Sequence, residues 1–296
     1  MTDARPLPFI YQFAAGAVAG ISEILVMYPL DVVKTRMQLQ VAGGVGPQYN
    51  GVVNCLKQIV AKEGASRLYK GISSPVLMEA PKRATKFACN DEFQKIYKRE
   101  FGVEKLTQSL SILSGASAGC CEAFVVVPFE LVKIRLQDVS SKYNGPVDVV
   151  KRIIAQEGVL AMYNGLESTL WRHGVWNAGY FGIIFQVRSL LPQAQSKSQQ
   201  TGNDLIAGTI GGTIGSLMST PFDVVKSRVQ NTAVVAGQAR KYNWSWPSIF
   251  TIYREEGFSA LYKGFVPKVL RLGPGGGILL VVFTGMMDFF RTVHYK

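Results

Sequence analysis

One pattern recurs three times along this chain and constrains its architecture more than any other feature. Pro29, Asp31, Lys34, Arg36 and Gln38 stand in the order Pro-x-acid-x-x-Lys-x-Arg-x-Gln. The same order returns at Pro128, Glu130, Lys133, Arg135 and Gln137, and again at Pro221, Asp223, Lys226, Arg228 and Gln230. Prolines at 29, 128 and 221 put the copies 99 and 93 residues apart. Other landmarks keep that register. Gly16 and Gly20, Gly115 and Gly119, and Gly208 and Gly212 precede the three prolines by 13 and 9 residues. Downstream of each proline come Glu63-Gly64 with Tyr69-Lys70-Gly71, Glu157-Gly158 with Tyr163-Asn164-Gly165, and Glu256-Gly257 with Tyr262-Lys263-Gly264. A period near a hundred residues is far longer than that of a solenoid, and three such units fill the chain. We set them at 1–105, 106–200 and 201–296, as one structural unit.

Each repeat holds two stretches of membrane-spanning length. The odd ones run roughly over 9–38, 108–137 and 203–230, the even ones over 73–98, 169–190 and 267–292. Composition agrees: 48% of the residues are hydrophobic and 18% charged, against about 25% charged in soluble chains, and the mean hydropathy is +0.15. Several of the stretches carry polar residues and fail the test of about 18 uninterrupted apolar positions. That is expected where one face lines a wet cavity. Glycines four apart predict close helix–helix approach. An even number of spans per repeat gives all three copies the same orientation, with both termini on one side and a pseudo-threefold axis along the membrane normal. The odd-to-even loops are rich in Lys and Arg, which places them on the inner side. Each contains a short amphipathic surface helix, as at Val52 to Lys62. Gln193 to Gly202 reads as a polar linker. The fold class expected is an all-α membrane protein of six transmembrane helices in three repeats.

The net charge of +12 would suit a nucleic-acid binder only if it were gathered into a patch. It is spread at fixed spacings, so no nucleic-acid partner is expected. Cys55, Cys89, Cys120 and Cys121 form no metal or disulfide pattern. Neither a nucleophile–base constellation nor a metal-ligand spacing appears, so neither an enzyme nor a cofactor is expected. Met1 to Pro8 has neither a signal-peptide nor a transit-peptide layout, which puts any targeting information within the mature chain.

The three proline motifs, with their Glu-Gly and aromatic-x-Gly elements, resemble the mitochondrial carrier family over essentially the whole chain. The resemblance implies a six-helix barrel in the inner mitochondrial membrane and alternating access to one central site. It implies membrane lipid as a partner, cardiolipin included. Taken alone, Asp31 and Lys34, Glu130 and Lys133, and Asp223 and Lys226 read equally as local surface pairs. The resemblance implies instead a matrix-side gate that joins the repeats: Asp31 with Lys133, Glu130 with Lys226, and Asp223 with Lys34. Gln38, Gln137 and Gln230 are then expected to brace those pairs. A second, cytoplasmic gate is implied on the even helices, where Asp91 is followed by Gln94, Phe185 by Arg188 and Asp288 by Arg291. That pattern is degraded, and leaves Asp91 with Arg188 as an ion pair and Gln94 with Asp288 as a hydrogen bond.

Between the gates, Glu79, Lys82, Arg83 and Lys86 stand on the second long helix, Arg172, His173 and Asn177 on the fourth, and Arg271 on the sixth. Basic residues from three repeats, against one acid, predict a small anionic metabolite as cargo. Arginine forks suit carboxylates, and His173 and Asn177 are candidates for hydrogen bonding an oxo group between two of them. Lys82-Arg83, Arg172-His173 and Arg271 lie at the family's substrate contact positions. They most resemble the members that exchange 2-oxoadipate and 2-oxoglutarate. Exchange of citrate or malate, and a proton or anion uniport, are the competing readings. Glu23 and Glu122 read either as proton acceptors or as polar packing.

Overall fold

Each proline motif lies inside a long helix rather than at its end. A computed structural model describes residues 7–41, 47–103, 107–192, 196–232 and 240–294. Helix α1 (Phe9–Leu39) runs unbroken through Pro29, α4 (Gln108–Gln137) through Pro128 and α7 (Lys197–Asn231) through Pro221. The even helices are α3 (Ser73–Glu100), α6 (Leu166–Leu190) and α9 (Phe265–His294). Short helices α2 (Val52–Glu63), α5 (Pro146–Glu157) and α8 (Ser245–Glu256) stand in the odd-to-even loops. The polar run expected to be a linker is helical from Lys197 onward: the Ser196 hydroxyl accepts the Gln199 N–H and caps a helix start there, as an N-cap serine does.

The six long helices close a ring in the order α1, α3, α4, α6, α7, α9, with α9 packed along α1. The start of α1 meets the end of α9, where the Tyr11 hydroxyl lies 3.2 Å from His294 Nδ1, so both ends of the described chain sit on one side. By length and apolarity, Ile10–Leu39, Ile112–Gln137 and Phe258–His294 are able to cross a membrane. The other long helices, α3, α6 and α7, carry more polar residues along their length. Large apolar side chains cover the outer faces: Val26 on α1, Phe124 on α4, Met218 on α7 and Val281 on α9 are all exposed. A belt of that kind is rare on a soluble monomer and suits a lipid surround.

At the proline side each repeat closes on itself. The short helices are amphipathic and bury residues four apart, Cys55 with Ile59 and Val149 with Ile153. These pack on Val32 and Val33 of α1 and on Leu131 and Val132 of α4, and Ile252 of α8 does the same on Val224 and Val225 of α7. A single 3-10 turn follows each short helix and ends in the aromatic-x-Gly landmark. Gly165 and Gly264 there have φ of 82° and 84°, and a Cβ on either would lie 2.9 Å from Gln230 Cγ or Gln38 Cγ of another repeat. Both the positive φ and the close approach require glycine.

The glycines that keep the repeat register behave otherwise than expected. Nothing lies within 4 Å of a Cβ built on Gly115 or Gly119, and Gly16 and Gly20 make room for the side chains of Arg83 and Glu79. Those glycines face side chains or open space, not a neighbouring backbone. True backbone approach occurs between α6 and α7, where a Cβ on Gly215 would stand 2.8 Å from the Trp176 carbonyl oxygen and one on Gly179 would stand 2.9 Å from Gly215 Cα. Gly215→Val therefore lowers the thermal midpoint, with an overpacking cost of about 1–3 kcal/mol. Gly115→Ala, entering open space, leaves the midpoint unchanged or raises it; thermal unfolding of the two purified variants checks both.

Candidate functional site

The acid of each motif sits two residues past its proline and the lysine three further on, so both project from the same end of an odd helix. There the odd helices touch pairwise, and three ion pairs link the repeats in a cycle. Lys133 meets Asp31 at 2.8 Å, Lys226 meets Glu130, and Lys34 meets Asp223 at 3.4 Å. The glutamines do not brace these pairs. Gln38 Oε1 accepts from the Ser227 hydroxyl at 2.7 Å, Gln137 Nε2 donates to the Tyr28 hydroxyl at 3.0 Å, and the Gln230 side chain has no hydrogen-bond partner among the described residues. The reason is directional. Long side chains lean toward the N-terminus of their helix, so the lysines reach back to the carboxylates. The glutamines, one turn on, pack in the next layer against the aromatic-x-Gly loops.

A second set of pairs went unread in the sequence although every member was visible there. The arginine of each motif meets the glutamate of each Glu-Gly element. Arg36 grips Glu63 with bonds of 3.0 and 2.8 Å, Arg135 meets Glu157 at 3.0 Å and Arg228 meets Glu256 at 3.0 Å. Opposite charges repeated three times at one interval were the available signal. Two of these arginines also bond helix ends in another repeat. Arg135 donates to the Gln230 carbonyl at 2.7 Å, and Arg228 donates to the Gln38 carbonyl at 3.2 Å and the Gln40 carbonyl at 3.1 Å. Arg36 has no such bond among the described residues, and its Nε is buried without a partner. At Glu63, burial pushes the carboxyl up, but hydrogen bonds from Arg36 and Arg67 outweigh it and hold the pKa below the usual carboxylate range. The pair's contribution to stability is therefore full above that range and is lost as pH falls through the lowered value.

On the other side of the cavity the expected gate is not made. Asp91 is held by Lys95 of its own helix at 2.7 Å, Arg188 by Asp204 of α7 at 2.9 Å, and Asp288 by Arg291 of its own helix at 3.3 Å. Gln94 and Asp288 share no bond among the described residues, and the side chain of Phe185 lies outside them. The odd helices converge at the proline side, which leaves the even helices apart at this end, so each charge finds a local partner. A cavity of about 780 Å³ opens here, lined by Ile10 and Phe13 of α1 and by Phe87, Asn90, Asp91 and Gln94 of α3.

Between these ends the candidate binding residues meet more acids than the one expected. Arg83 donates to Glu79 at 2.6 Å, and the pair lies along Gly16 and Gly20 of α1. Lys82 is 3.9 Å from Glu79, and Lys86 is 3.8 Å from Glu122 of α4. Arg271 donates to Glu23 at 2.8 Å and also bonds Asp31. Glu23 is three residues beyond Gly20, so Arg83 of α3 and Arg271 of α9 pack against neighbouring turns of α1. Arg172 donates to His173 Nε2 at 2.8 Å and lies 3.6 Å from Asp223, while Asn177 donates to the His173 carbonyl at 2.9 Å. One cation was missed: Lys268, whose amino group donates to Asp223 at 2.7 Å and to the Ser219 hydroxyl at 2.8 Å. With Lys268 there are six cations against Glu79, Glu23 and Glu122, beside a ring of three acids and three lysines that balances itself. The surplus is positive, and it invites an anion of two or three charges.

The family model described as mitochondrial carrier protein matches residues 5–101, 104–195 and 197–294. Among curated proteins, the chain is 70% identical to "Mitochondrial citrate transporter D" of Aspergillus niger, covering 98% of this chain and 97% of that protein. It is 64% identical to "Mitochondrial 2-oxodicarboxylate carrier 2" of Saccharomyces cerevisiae, over 99% and 98% of the two. It is 39% identical to "Mitochondrial 2-oxodicarboxylate carrier" of Homo sapiens, over 92% and 91%.

Glu256, in the most buried of the arginine pairs, provides a test of their weight. Glu256→Ala leaves the Arg228 charge unpaired and costs about 3–5 kcal/mol. Glu255→Ala removes an exposed surface pair with Lys241, worth about 0–1 kcal/mol. Thermal unfolding of both variants is expected to show a large drop for the first and almost none for the second.

Proposed function

The chain belongs to the mitochondrial carrier family, and on that premise we propose that it is an inner-membrane antiporter, not an enzyme, that exchanges 2-oxodicarboxylates such as 2-oxoadipate and 2-oxoglutarate. The observation that carries this is the placing of Arg83 of the first repeat and Arg271 of the third against neighbouring turns of α1, with Arg172 supplied by the second. Planar forks on separate helices suit the two carboxylates of a short chain, and Asn177, beside His173, is offered for the oxo group. Membrane lipid, cardiolipin among it, surrounds the barrel in this reading.

Transport then follows from the two ends. The even-helix end is open and admits the anion; the ring of Asp31, Lys34, Glu130, Lys133, Asp223 and Lys226 is closed beneath it and acts as the matrix gate. Arg271 is bonded to Asp31 of that gate, so a carboxylate that claims Arg271 removes a cation from a gate acid. Exposed pairs would cost only about 0–1 kcal/mol each to part, but this ring is mostly buried, and parting it one side at a time would cost more. The bound anion and entering water must therefore stabilise the charges as they separate. Binding in the micromolar to millimolar range supplies about 4–8 kcal/mol, enough to offset a few such contacts. Once the ring has opened, the even helices converge, and Asp91 and Arg188 exchange their local partners for each other.

Exchange of citrate is the second reading, favoured by the name of the Aspergillus niger relative and by a cationic surplus able to hold a third carboxylate. Uptake of labelled 2-oxoglutarate by purified protein in liposomes decides between them. We expect rapid uptake when 2-oxoglutarate or 2-oxoadipate is inside and none into empty vesicles. Uptake of citrate alone would overturn the first reading, and uptake into empty vesicles would overturn exchange itself. Arg271→Ala removes a charged hydrogen-bonding group worth about 1.5–3 kcal/mol, and we expect its exchange rate to fall about 10- to 100-fold.

A further inference from the structure

The three gate acids are not equally provided with cations. Among the described residues Glu130 has Lys226 alone within ion-pair distance, whereas Asp223 has Lys268 at 2.7 Å, Lys34 at 3.4 Å and Arg172 at 3.6 Å. The shortest of the three is not the gate's own lysine. Lys268 and Lys34 share one carboxylate oxygen, Oδ2, so they compete for it. Lys268 and Asp223 also belong to the same repeat, so their bond does not tie one repeat to the next; it draws Asp223 away from the pair that does.

From this geometry we propose that Lys268 is a further substrate-binding residue, held on Asp223 while the site is empty and released to a carboxylate of the bound anion. The inference rests on the reading of the chain as a carboxylate exchanger. One carboxylate balances one of the three cations around Asp223, and the remaining positive charge attracts a further anion. Lys268 also precedes Arg271 by three residues on α9, which puts the two on one face, a turn apart. Arg271 bonds Asp31, the acid of another link in the ring. An anion that claims both α9 bases thus takes a cation from Asp31 and another from Asp223 at once. Asp223 is then left to Lys34 and Arg172. Loading of the site and rearrangement of the gate become competing uses of one amino group, the other contact of which, the Ser219 hydroxyl at 2.8 Å, keeps it within reach. The opposing view makes Lys268 a fixed strut between α9 and α7.

The two views differ in what Lys268→Gln does. In proteoliposomes, with whichever of 2-oxoglutarate or citrate the unaltered protein exchanges, substrate binding predicts a KM raised about tenfold or more, the loss expected for a hydrogen bond to a charged group. It also predicts a substrate-free thermal midpoint no lower than that of the unaltered protein, a smaller rise on adding the anion, and recovery of KM in Lys268→Arg. An unchanged KM in the Gln variant overturns the proposal, as does a lowered midpoint or failure to fold, since either marks a strut. Failure of the substrate reading looks different: the unaltered protein itself would then exchange neither anion, or citrate only.

Discussion

Three carboxylates, each two residues past a proline, pair not with the lysines of their own motifs but with those of another repeat. That pairing organises the molecule. The lysine of each motif leans back along its helix and meets the acid of another repeat, so no motif pairs its own acid with its own lysine. The odd helices are therefore drawn together at one end, and six helices of fixed length that converge at one end stand apart at the other. The open cavity, the local pairing of Asp91, Arg188 and Asp288, and the exposure of those side chains all follow from where the ring is closed. An outer layer of Arg–Glu pairs supports it, and these hold each surface helix against the odd helix of its own repeat.

Much of this was legible in the sequence because it was written three times. Repetition turns a common residue type into a positional signal, so the helix pairs and the surface helices were readable from it, while the inter-repeat partners of Asp31, Glu130 and Asp223 were legible only through the family resemblance. What escaped has physical reasons. The glutamines occur in every repeat, yet a repeat says that a side chain has a fixed neighbour without saying which layer the neighbour occupies. Gly115 and Gly119 share a register with Gly16 and Gly20 but face open space, because packing around the ring is not equal. Lys268 occurs in one repeat only, so no periodicity announced it. Whether Asp91 meets Arg188 depends on the state of the barrel, which the sequence leaves free.

Departures from threefold symmetry are concentrated where an anion would bind. Arg83 is paired within its own helix, Arg271 reaches across to α1, and Arg172 lies beside His173 and near Asp223. A symmetric ring of identical bases would hold a symmetric ligand. Three differently restrained guanidinium groups instead distinguish the two ends of a molecule. The scaffold is shared among the repeats, and on the proposed function selectivity would belong to the residues that are not.

The arginine bonds also have a consequence for how such a chain is made. The last carbonyls of α1, at Gln38 and Gln40, receive their hydrogen bonds from Arg228 and Lys263, residues close to the other end of the polypeptide. A helix end without partners carries a cost until they are supplied. The segment synthesised first is thus the one completed last. A barrel lacking its third repeat would keep those carbonyls without the partners that Arg228 and Lys263 supply.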